Sequence, residues 1–278
     1  MPLTQPYPGL DELIASIGEA GQRLNEIKAT EGAAGNISVY AGWPLDVQQR
    51  FSQAEQIDLP QPAPALAGKT VLVTGSGRRL RDIEADPEGN LGAIVVDPGG
   101  LSAQLFTSPR RLFTRITSEF NSHLAAHQDA VARTGTNFQA LVHAQPPNMV
   151  YLSHIPAYRD QLVFNRRLLR WQPETIVELP DGVCVLPFLL PGSHALMDTT
   201  VAGLRDHNLV LWSKHGVMAR SDISAVRAAD IIEYAEAAAH YEYMDLVAHS
   251  QADGLTPEEL SAVAEVFGIK GRIVDRRS

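Results

Sequence analysis

The sequence predicts an α/β protein that contains antiparallel strand pairs. Apolar runs typical of short strands follow one another without helical sequence between them, at residues 71–73, 91–96 and 104–106. Such short intervals favour antiparallel neighbours, because a parallel pair needs a long crossover. Asp97-Pro98-Gly99-Gly100 is typical of a hairpin turn between the last two runs. Apolar residues at helical spacing predict long helices from about Leu10 to Ala29 and from Asp222 to about His249.

Composition limits the classes of function. The 278 residues leave room for one large domain or two small ones, and 45% hydrophobic content is ordinary for a globular protein. The net charge of -9 argues against nucleic acid or an anionic membrane as a partner. Cys184 is the single cysteine, so no intrachain disulfide can form and a reducing cytoplasm is expected. No signal-peptide pattern opens the sequence, and no apolar run approaches the roughly 20 residues of a membrane helix.

Glycine-containing loops follow the first helix and the strand at 71–73. In the first loop, Gly35 and Asn36 precede a strand marked by Ile37 and Val39, and the loop could offer backbone N–H groups and an amide to an anion. The second loop, Thr74-Gly75-Ser76-Gly77, combines close backbone approach with a hydroxyl, which suits phosphate. Ordinary tight turns remain the alternative for both. Residues 41–66, rich in Gln, Pro and Ala, predict a surface excursion.

Thr117, Ser118 and Glu119 begin a helix that continues to about Arg133, with Thr117 or Ser118 as the N-cap. An anion near this helix start would also meet the favourable end of the helix dipole. Glu119 in a first turn usually only stabilises the helix. His123 and His127 lie four residues apart and could ligate one ion together, although packed or solvated histidines are commoner.

A strand that ends before two prolines carries His143 and Gln145 on one face, because alternate side chains of a strand point the same way. Pro146 and Pro147 end this strand beside a loop, where sites tend to be built. Further elements are predicted at 148–155 and 159–171 (helices), 184–186 (strand), 193–205 (helix), 208–213 (strand) and after Thr256 (helix). Ser221 is the predicted N-cap of the helix from Asp222. His215 follows the strand at 208–213.

One carboxylate and two histidines thus lie at element ends, together with three loops able to bind phosphate. Zinc binds neutral histidine nitrogens and carboxylate oxygens, and catalytic sites keep a position open for substrate. No HExxH or CxxC run fixes the spacing, so the residues alone leave metal catalysis open.

Six motifs, in this order, resemble the class II aldolase/adducin family. They are GNISV, VLVTGSGRRLRDI with DPEGNLGAIVVD after it, TSEFNSHLAAH, LVHAQPPN, LPDGVCVLPFLLPGS and LVLWSKHGVM. Together they span nearly the whole chain, and their order is far more specific than any one motif. The resemblance implies a single α/β/α domain over residues 1–278, in which helices cover both faces of a central, mainly antiparallel mixed sheet. It also implies a cyclic homotetramer with active sites at subunit boundaries.

The resemblance also implies roles for individual residues. Members of the family hold zinc with three histidines, and His143 and His215 match the first and third of them. Gln145 stands at the second position, which is a departure at the metal itself. Glu119 matches the catalytic glutamate, and Glu174 matches a second carboxylate that reaches the site from a neighbouring subunit. The residues that match the phosphate-binding loops are Gly35, Asn36, Ser76, Gly77, Thr117 and Ser118.

The expected function follows from this resemblance. It is strongest to members that cleave L-rhamnulose 1-phosphate to dihydroxyacetone phosphate and L-lactaldehyde. In that reaction zinc, or another divalent cation, stabilises the enediolate left by the broken C–C bond, and no Schiff-base lysine is needed. The expected partner is therefore a sugar phosphate. Other sugar-phosphate aldolases, epimerases, dehydratases and decarboxylases of the family are alternatives, as are adducin-like interaction proteins that have lost the metal.

Overall fold

The structure of the protein is a computed structural model, and it describes residues 2–270. Within these residues one nine-stranded sheet carries helices on both faces, as the resemblance implied. Among the described helices, none combines the length and the apolar character that crossing a membrane requires. The single domain predicted over residues 1–278 stays a prediction, and Met1 and residues 271–278 of it lie outside the described residues.

Helices occur throughout the described chain. They are α1 (Leu10–Glu26), α2 (Pro87–Asn90), α3 (Phe120–Thr134), α4 (Pro147–His154), α5 (Gln161–Leu168), α6 (Pro173–Glu178), α7 (His194–Asp206), α8 (Ala225–Val247) and α9 (Pro257–Val266). The two long helices predicted from apolar spacing are α1 and α8, each slightly shorter than predicted.

The strands form a mixed sheet in which antiparallel pairs dominate. They are β1 (Asn36–Ala41), β2 (Gln53–Asp58), β3 (Thr70–Thr74), β4 (Leu91–Val96), β5 (Ser102–Thr107), β6 (Phe138–Ala144), β7 (Val183–Leu186), β8 (Leu209–Trp212) and β9 (Gly216–Ser221). Their order across the sheet is β2-β5-β4-β3-β1-β6-β9-β8-β7. Among the strands that the structure describes, only β7 and β8 pair in parallel, and α7 connects them. The predicted hairpin between β4 and β5 is confirmed.

Alternate side chains of the central strands point to two core layers, one on each face of the sheet. On β1, Ile37 and Val39 are buried in the core that contains residues of α1 and α8. Ser38 and Tyr40 face the opposite layer, which includes α3. Each fully buried aliphatic side chain of this kind contributes about 1.5–3 kcal/mol relative to an exposed one. Both faces of the sheet are therefore covered by core packing, and the loops lie at the ends of its strands.

The structure corrects the prediction that residues 41–66 form a surface excursion. This segment contains β2, which pairs with β5 at the edge of the sheet. It also contains the fully buried side chains of Phe51, Ala63 and Leu66. The prediction failed because the side chains of β2 are almost all exposed, so this edge strand has no apolar alternation to reveal it.

Helix caps explain where the C-terminal helices begin. The N-cap of α8 is Ser224, whose hydroxyl accepts from the N–H of Arg227 at 2.9 Å, so the prediction of Ser221 is wrong. The Thr256 cap of α9 is confirmed: its hydroxyl and the Glu259 carboxylate satisfy each other's backbone N–H groups.

Candidate active site

Neighbouring strands bring their loops to one end of the sheet. Because β1 is antiparallel to β6, its first residue, Asn36, lies opposite His143 near the end of β6. β1 is antiparallel to β3 as well, so the loop that follows β3 adjoins the same place. Val217 of β9 lies opposite Ala144 at the end of β6, and this register brings the turn that contains His215 to the same end.

These loops surround a cavity of about 220 Å³. Every predicted site residue except Glu174 lines it: Gly35, Asn36, Ser76, Gly77, Thr117, Ser118, Glu119, His143, Gln145 and His215. The rest of the lining is Gly75, which belongs to the loop predicted to suit phosphate, and Ala33, Ala34 and Pro191, which were not predicted as site residues. Pro191 comes from the loop between β7 and α7, and the only sequence signal for it is the PGS turn of the LPFLLPGS motif.

Glu119 occupies the N-cap position of α3, but its side chain does not cap the helix. The prediction of Thr117 or Ser118 as the N-cap is wrong, because the helix begins at Phe120. The buried carboxylate of Glu119 turns toward the cavity instead, where its Oε2 accepts a hydrogen bond from Asn36 Nδ2 at 2.8 Å. This helix start therefore supplies a site residue rather than a cap.

The tautomer of His143 follows from its hydrogen bond. Its Nδ1 lies 2.8 Å from the carbonyl oxygen of Val217, which can only accept, so Nδ1 carries a proton. In the neutral ring, Nε2 then presents its lone pair to Glu119 Oε2, 3.4 Å away. The ring nitrogen and the carboxylate oxygen thus face each other in a buried place, where both can bind one cation.

His215 completes this group from the turn between β8 and β9. Its Nε2 lies 3.6 Å from Glu119 Oε1. Its Nδ1 is buried and has no hydrogen-bond partner within residues 2–270. Burial lowers the pKa of His215 and the neighbouring His143 lowers it further, against the opposite effect of Glu119. His215 is therefore neutral near pH 7, the form in which histidine ligates metals.

The donors of these residues fit a divalent cation. Glu119, His143 and His215 each offer one ligand atom, and the three atoms lie within 4.8 Å of one another. Imidazole nitrogen with carboxylate oxygen is a donor set that zinc accepts, with room left for substrate. Gln145 lines the same cavity from the end of β6, but its neutral amide oxygen is a weak donor.

Two glycines allow the strand ends to approach so closely. Gly35 has a φ of 85°, and a Cβ there would lie 2.8 Å from the carbonyl oxygen of His143. A Cβ on Gly216 would lie 2.5 Å from the carbonyl oxygen of Ala144 and 2.8 Å from Cε1 of the His143 ring. Either side chain would displace the histidine, so the cavity requires glycine at both positions.

The loops predicted to bind phosphate have fewer free N–H groups than their glycines suggested. The N–H of Ser76 donates to the carbonyl of Arg115 at 2.8 Å, and that of Thr117 donates to Thr74 at 3.0 Å. The Asn36 amide is engaged by Glu119. Ser76 and Thr117 can therefore contribute hydroxyl groups rather than backbone N–H groups to an anion in the cavity.

Three other candidate residues lie outside the cavity lining. Glu174 is exposed near the start of α6, a helix that packs against α8 and α9. Its role at a neighbouring subunit's site stays a prediction. His123 and His127 are fully buried on α3, and both are hydrogen bonded to Ser38. Of the two interpretations left open for these histidines, the packed one describes their positions.

Known proteins match this chain in sequence. Residues 15–243 match the family described as Class II Aldolase and Adducin N-terminal domain. The rhamnulose-1-phosphate aldolase of Escherichia fergusonii is 32% identical over 218 residues, which cover 78% of this chain and 78% of that protein. The protein of the same name from Klebsiella pneumoniae is 31% identical over 214 residues, or 77% of this chain and 76% of its own length.

Solved structures share the fold. A sugar-phosphate aldolase from Thermotoga maritima matches with a TM-score of 0.70 and 26% identity, over 86% of this chain and 97% of its own. An l-fuculose-1-phosphate aldolase from Thermus thermophilus matches with a TM-score of 0.55 and 19% identity, over 87% and 98%. These matches confirm both the resemblance carried by the six motifs and the predicted fold class. The chain belongs to the class II aldolase and adducin family.

Proposed function

We propose that the chain is a metal-dependent lyase that cleaves L-rhamnulose 1-phosphate to dihydroxyacetone phosphate and L-lactaldehyde by a retro-aldol reaction. The observation that carries the proposal is one cavity in which Glu119, His143 and His215 meet the loops of Ser76 and Ser118. The names of the relatives at about one third identity support this choice of sugar phosphate.

His143 and His215 would hold the cation, zinc in the first place, with Glu119 beside them. When bound, it supplies Lewis-acid stabilisation for the negative charge that develops on the substrate oxygens as the C–C bond breaks. The hydrogen bond from His143 Nδ1 to the Val217 carbonyl orients the ring for this task. Gln145 would be a weak ligand, or would support the site through a water molecule.

Glu119 would carry out proton transfer at substrate carbon. In the cleavage direction the C4 hydroxyl group loses its proton to solvent as the C3–C4 bond breaks and the aldehyde leaves. The acid form of Glu119 gives its proton to C3 and ends as a carboxylate. In the synthesis direction the carboxylate removes that proton. The carboxylate lies 3.4 Å from His143 Nε2 and 3.6 Å from His215 Nε2, so one substrate could contact the histidines and the carboxylate together.

The phosphate group would lie against the hydroxyl groups of Ser76, Thr117 and Ser118 and the Gly77 backbone. Binding energy from this remote group can be used to orient the reacting carbons. A net charge of -9 is compatible with an anionic substrate, because the anion is held by local donors rather than by overall charge.

We also propose, on the strength of family membership, that the chain forms one domain and assembles as a cytoplasmic homotetramer. In this assembly Glu174 of a neighbouring subunit would reach the cavity. The exposure of Glu174 away from its own cavity supports that arrangement.

Gln145 favours one second candidate. A chain that lacks one of the three histidines expected for zinc could be an interaction protein without metal, as adducin-like members are. The presence of Glu119, His143 and His215 in one cluster supports the enzyme instead.

The test is formation of dihydroxyacetone phosphate, coupled to NADH oxidation, with metal content measured on the same sample. L-Fuculose 1-phosphate is the matched control, because it is the C4 epimer of L-rhamnulose 1-phosphate and yields the same products. We expect a clear preference for L-rhamnulose 1-phosphate. A reversed preference would move the proposal to the epimer, whereas no product from either sugar and no bound metal would favour the interaction protein.

A further inference from the structure

A chain of buried hydrogen bonds leads away from Glu119 beneath the cavity. Asn36 Nδ2 donates to Glu119 Oε2 at 2.8 Å, and Asn36 Oδ1 lies 2.5 Å from His123 Nε2. His123 Nδ1 lies 2.7 Å from Ser38 Oγ, which also lies 2.7 Å from His127 Nε2. All five side chains are less than a tenth exposed. The cavity lining includes Asn36 and Glu119 but neither histidine.

The fold builds this chain from two elements with matching spacing. Asn36 and Ser38 are two residues apart on β1, so their side chains share one face of the sheet. His123 and His127 are one turn apart on α3, which covers that face, so each ring meets the strand. The rings meet polar groups of the sheet: His123 contacts Asn36 and Ser38, and His127 contacts Ser38 and Gln139. Of the two histidines, His123 is the one that contacts Asn36, the partner of Glu119.

Burial favours neutral rings, and this defines a donor and an acceptor for each hydrogen bond that His123 makes. It lowers the pKa of His123 well below 6.5 and that of His127 to about 3, so both rings are neutral near pH 7. A neutral imidazole has one donor and one acceptor nitrogen. The Asn36 carbonyl only accepts, so Nε2 of His123 must be the donor. Its Nδ1 then accepts the single hydroxyl proton of Ser38, so His127 Nε2 donates to the Ser38 oxygen. The Nδ1 of His127 is then an acceptor, which requires the Gln139 amide to turn its NH2 group toward this ring.

This direction of the hydrogen bonds determines the orientation of the Asn36 amide. With the His123 proton on its oxygen, the amide must present its NH2 group to Glu119. Without that donor, a half-turn of the amide would bring its oxygen against the carboxylate, since the two amide atoms occupy equivalent positions. The Glu119 carboxylate would then lose its partner and its fixed place between His143 and His215.

We propose that His123 is a positioning residue which, through Asn36, holds the Glu119 carboxylate in place for proton transfer at substrate carbon. The proposal deepens the proposed function and rests on it. His123 touches neither the cavity nor the substrate, and its contribution is the single N–H that fixes the amide. His127 anchors Ser38 but does not contact Asn36.

The activity test compares matched variants of the whole chain supplied with zinc. His123→Phe keeps the volume and removes the donor, so we expect kcat to fall about tenfold or more, with KM changed less than about threefold. Exchange of the hydroxymethyl proton of dihydroxyacetone phosphate with deuterated water should fall in parallel, because it reports the proton transfer of Glu119 alone. His123→Gln, whose amide can donate to Asn36, should restore most of both rates.

His127→Phe is the control for burial, since His127 lies one turn further along the same helix and is equally buried. We expect a loss of stability and a kcat within about threefold of the parent, equivalent to about 0.65 kcal/mol. Equal losses of kcat in the two phenylalanine variants, or no rescue by glutamine, would overturn the positioning role.

Neutron diffraction provides a readout that does not depend on activity or on folding of a variant. We expect deuterium on Nε2 of His123 and on the Asn36 nitrogen that faces Glu119. A bare Nε2 would overturn the inference even in an active enzyme. Conversely, a parent protein that cleaves no sugar phosphate would contradict the proposed function, while the deuterium positions would still test the direction of the chain.

Discussion

The carboxylate of Glu119 is the residue on which the proposed chemistry most depends. Glu119→Gln is nearly isosteric but cannot exchange a proton at carbon, so we predict a loss of kcat of about 10²-fold or more. The zinc content of protein prepared with excess zinc should stay unchanged, because His143 and His215 remain. The measurement is steady-state cleavage with metal analysis of the same preparation. Glu265→Gln, on the exposed side of α9, is the matched control and should retain full activity. Equal activity in both variants would remove Glu119 from the mechanism.

A second prediction at the scale of residues concerns Gln145. Its neutral oxygen binds zinc weakly, so Gln145→His should tighten zinc binding by about tenfold or more, or about 1.4 kcal/mol. His143→Ala or His215→Ala should abolish binding. In the parent protein, manganese and magnesium should compete better than at a three-histidine site, since harder cations depend less on imidazole. Competition with a chromophoric chelator measures these affinities. A histidine variant with unchanged zinc affinity would place residue 145 outside the coordination sphere.

The residues that line the cavity were predicted more completely than their contacts. The short motifs that contain His143, His215 and Glu119 identified these side chains. The contact between Asn36 and Glu119 joins residues 83 positions apart, and only the sheet register brings them together. Sequence reasoning therefore treated Asn36 as a free donor for phosphate, whereas folding commits its amide to the carboxylate.

At the scale of elements, the proposed phosphate site requires three loops together. The loop before β1, the loop after β3 and the start of α3 all line the cavity. An unphosphorylated ketose would leave their hydroxyl groups without the anion, so L-rhamnulose should be a far poorer substrate than its 1-phosphate. We predict a decrease in kcat/KM of at least about 10²-fold, equivalent to roughly 2.7 kcal/mol of lost binding. Comparable kcat/KM values for the two sugars would contradict the phosphate site.

The strands that the sequence did not predict are β2, at the edge of the sheet, and β9, which follows a turn. The polar β2 lies at the sheet edge, where no apolar alternation is required. β9 was not predicted: the predicted strand ends at residue 213, and the residues after its very short turn were assigned to no element. The central strands were predicted, since burial on both faces makes their apolar runs continuous.

The packing of α3 on the sheet predicts how stability depends on pH. His123 and His127 are neutral in the folded protein, with the pKa of His127 lowered to about 3, whereas the unfolded chain takes up protons below about pH 6.5. The unfolded state then binds more protons, so this stabilisation is complete above pH 6.5 and decreases as the pH falls toward 3. Each histidine contributes a decrease of up to about 1.4 kcal/mol per pH unit.

Urea unfolding between pH 7.5 and 5, at one protein concentration, measures this dependence. His127→Gln is the control, because glutamine cannot take up the proton and can still bond to Ser38 and Gln139. The variant should show a shallower loss of stability below pH 6.5. An identical slope in the parent and the variant would show that His127 does not carry the effect.

At the scale of the whole molecule, the carboxylate of Glu174 lies outside the cavity of its own chain. Glu174 is exposed on α6, and the cavity lining of the same chain does not include it. If Glu174 acts at a neighbouring subunit's site, a complete site takes Glu119 from one subunit and Glu174 from the next. Glu119→Gln and Glu174→Gln subunits are each defective, but a hybrid oligomer should contain complete sites where the two kinds of subunit meet.

Hybrids are made by dissociating the two variants together and reassembling them. Random mixing of equal amounts should give about a quarter of the sites both intact residues, so activity should rise toward that fraction of the parent value. Reassembly of each variant alone is the control and should stay inactive. Oligomers mixed without dissociation should also stay inactive, which separates subunit exchange from simple addition. No recovery in verified hybrids would show that a site needs both carboxylates from one chain, or that Glu174 has no role, and the subunit-boundary site would be abandoned.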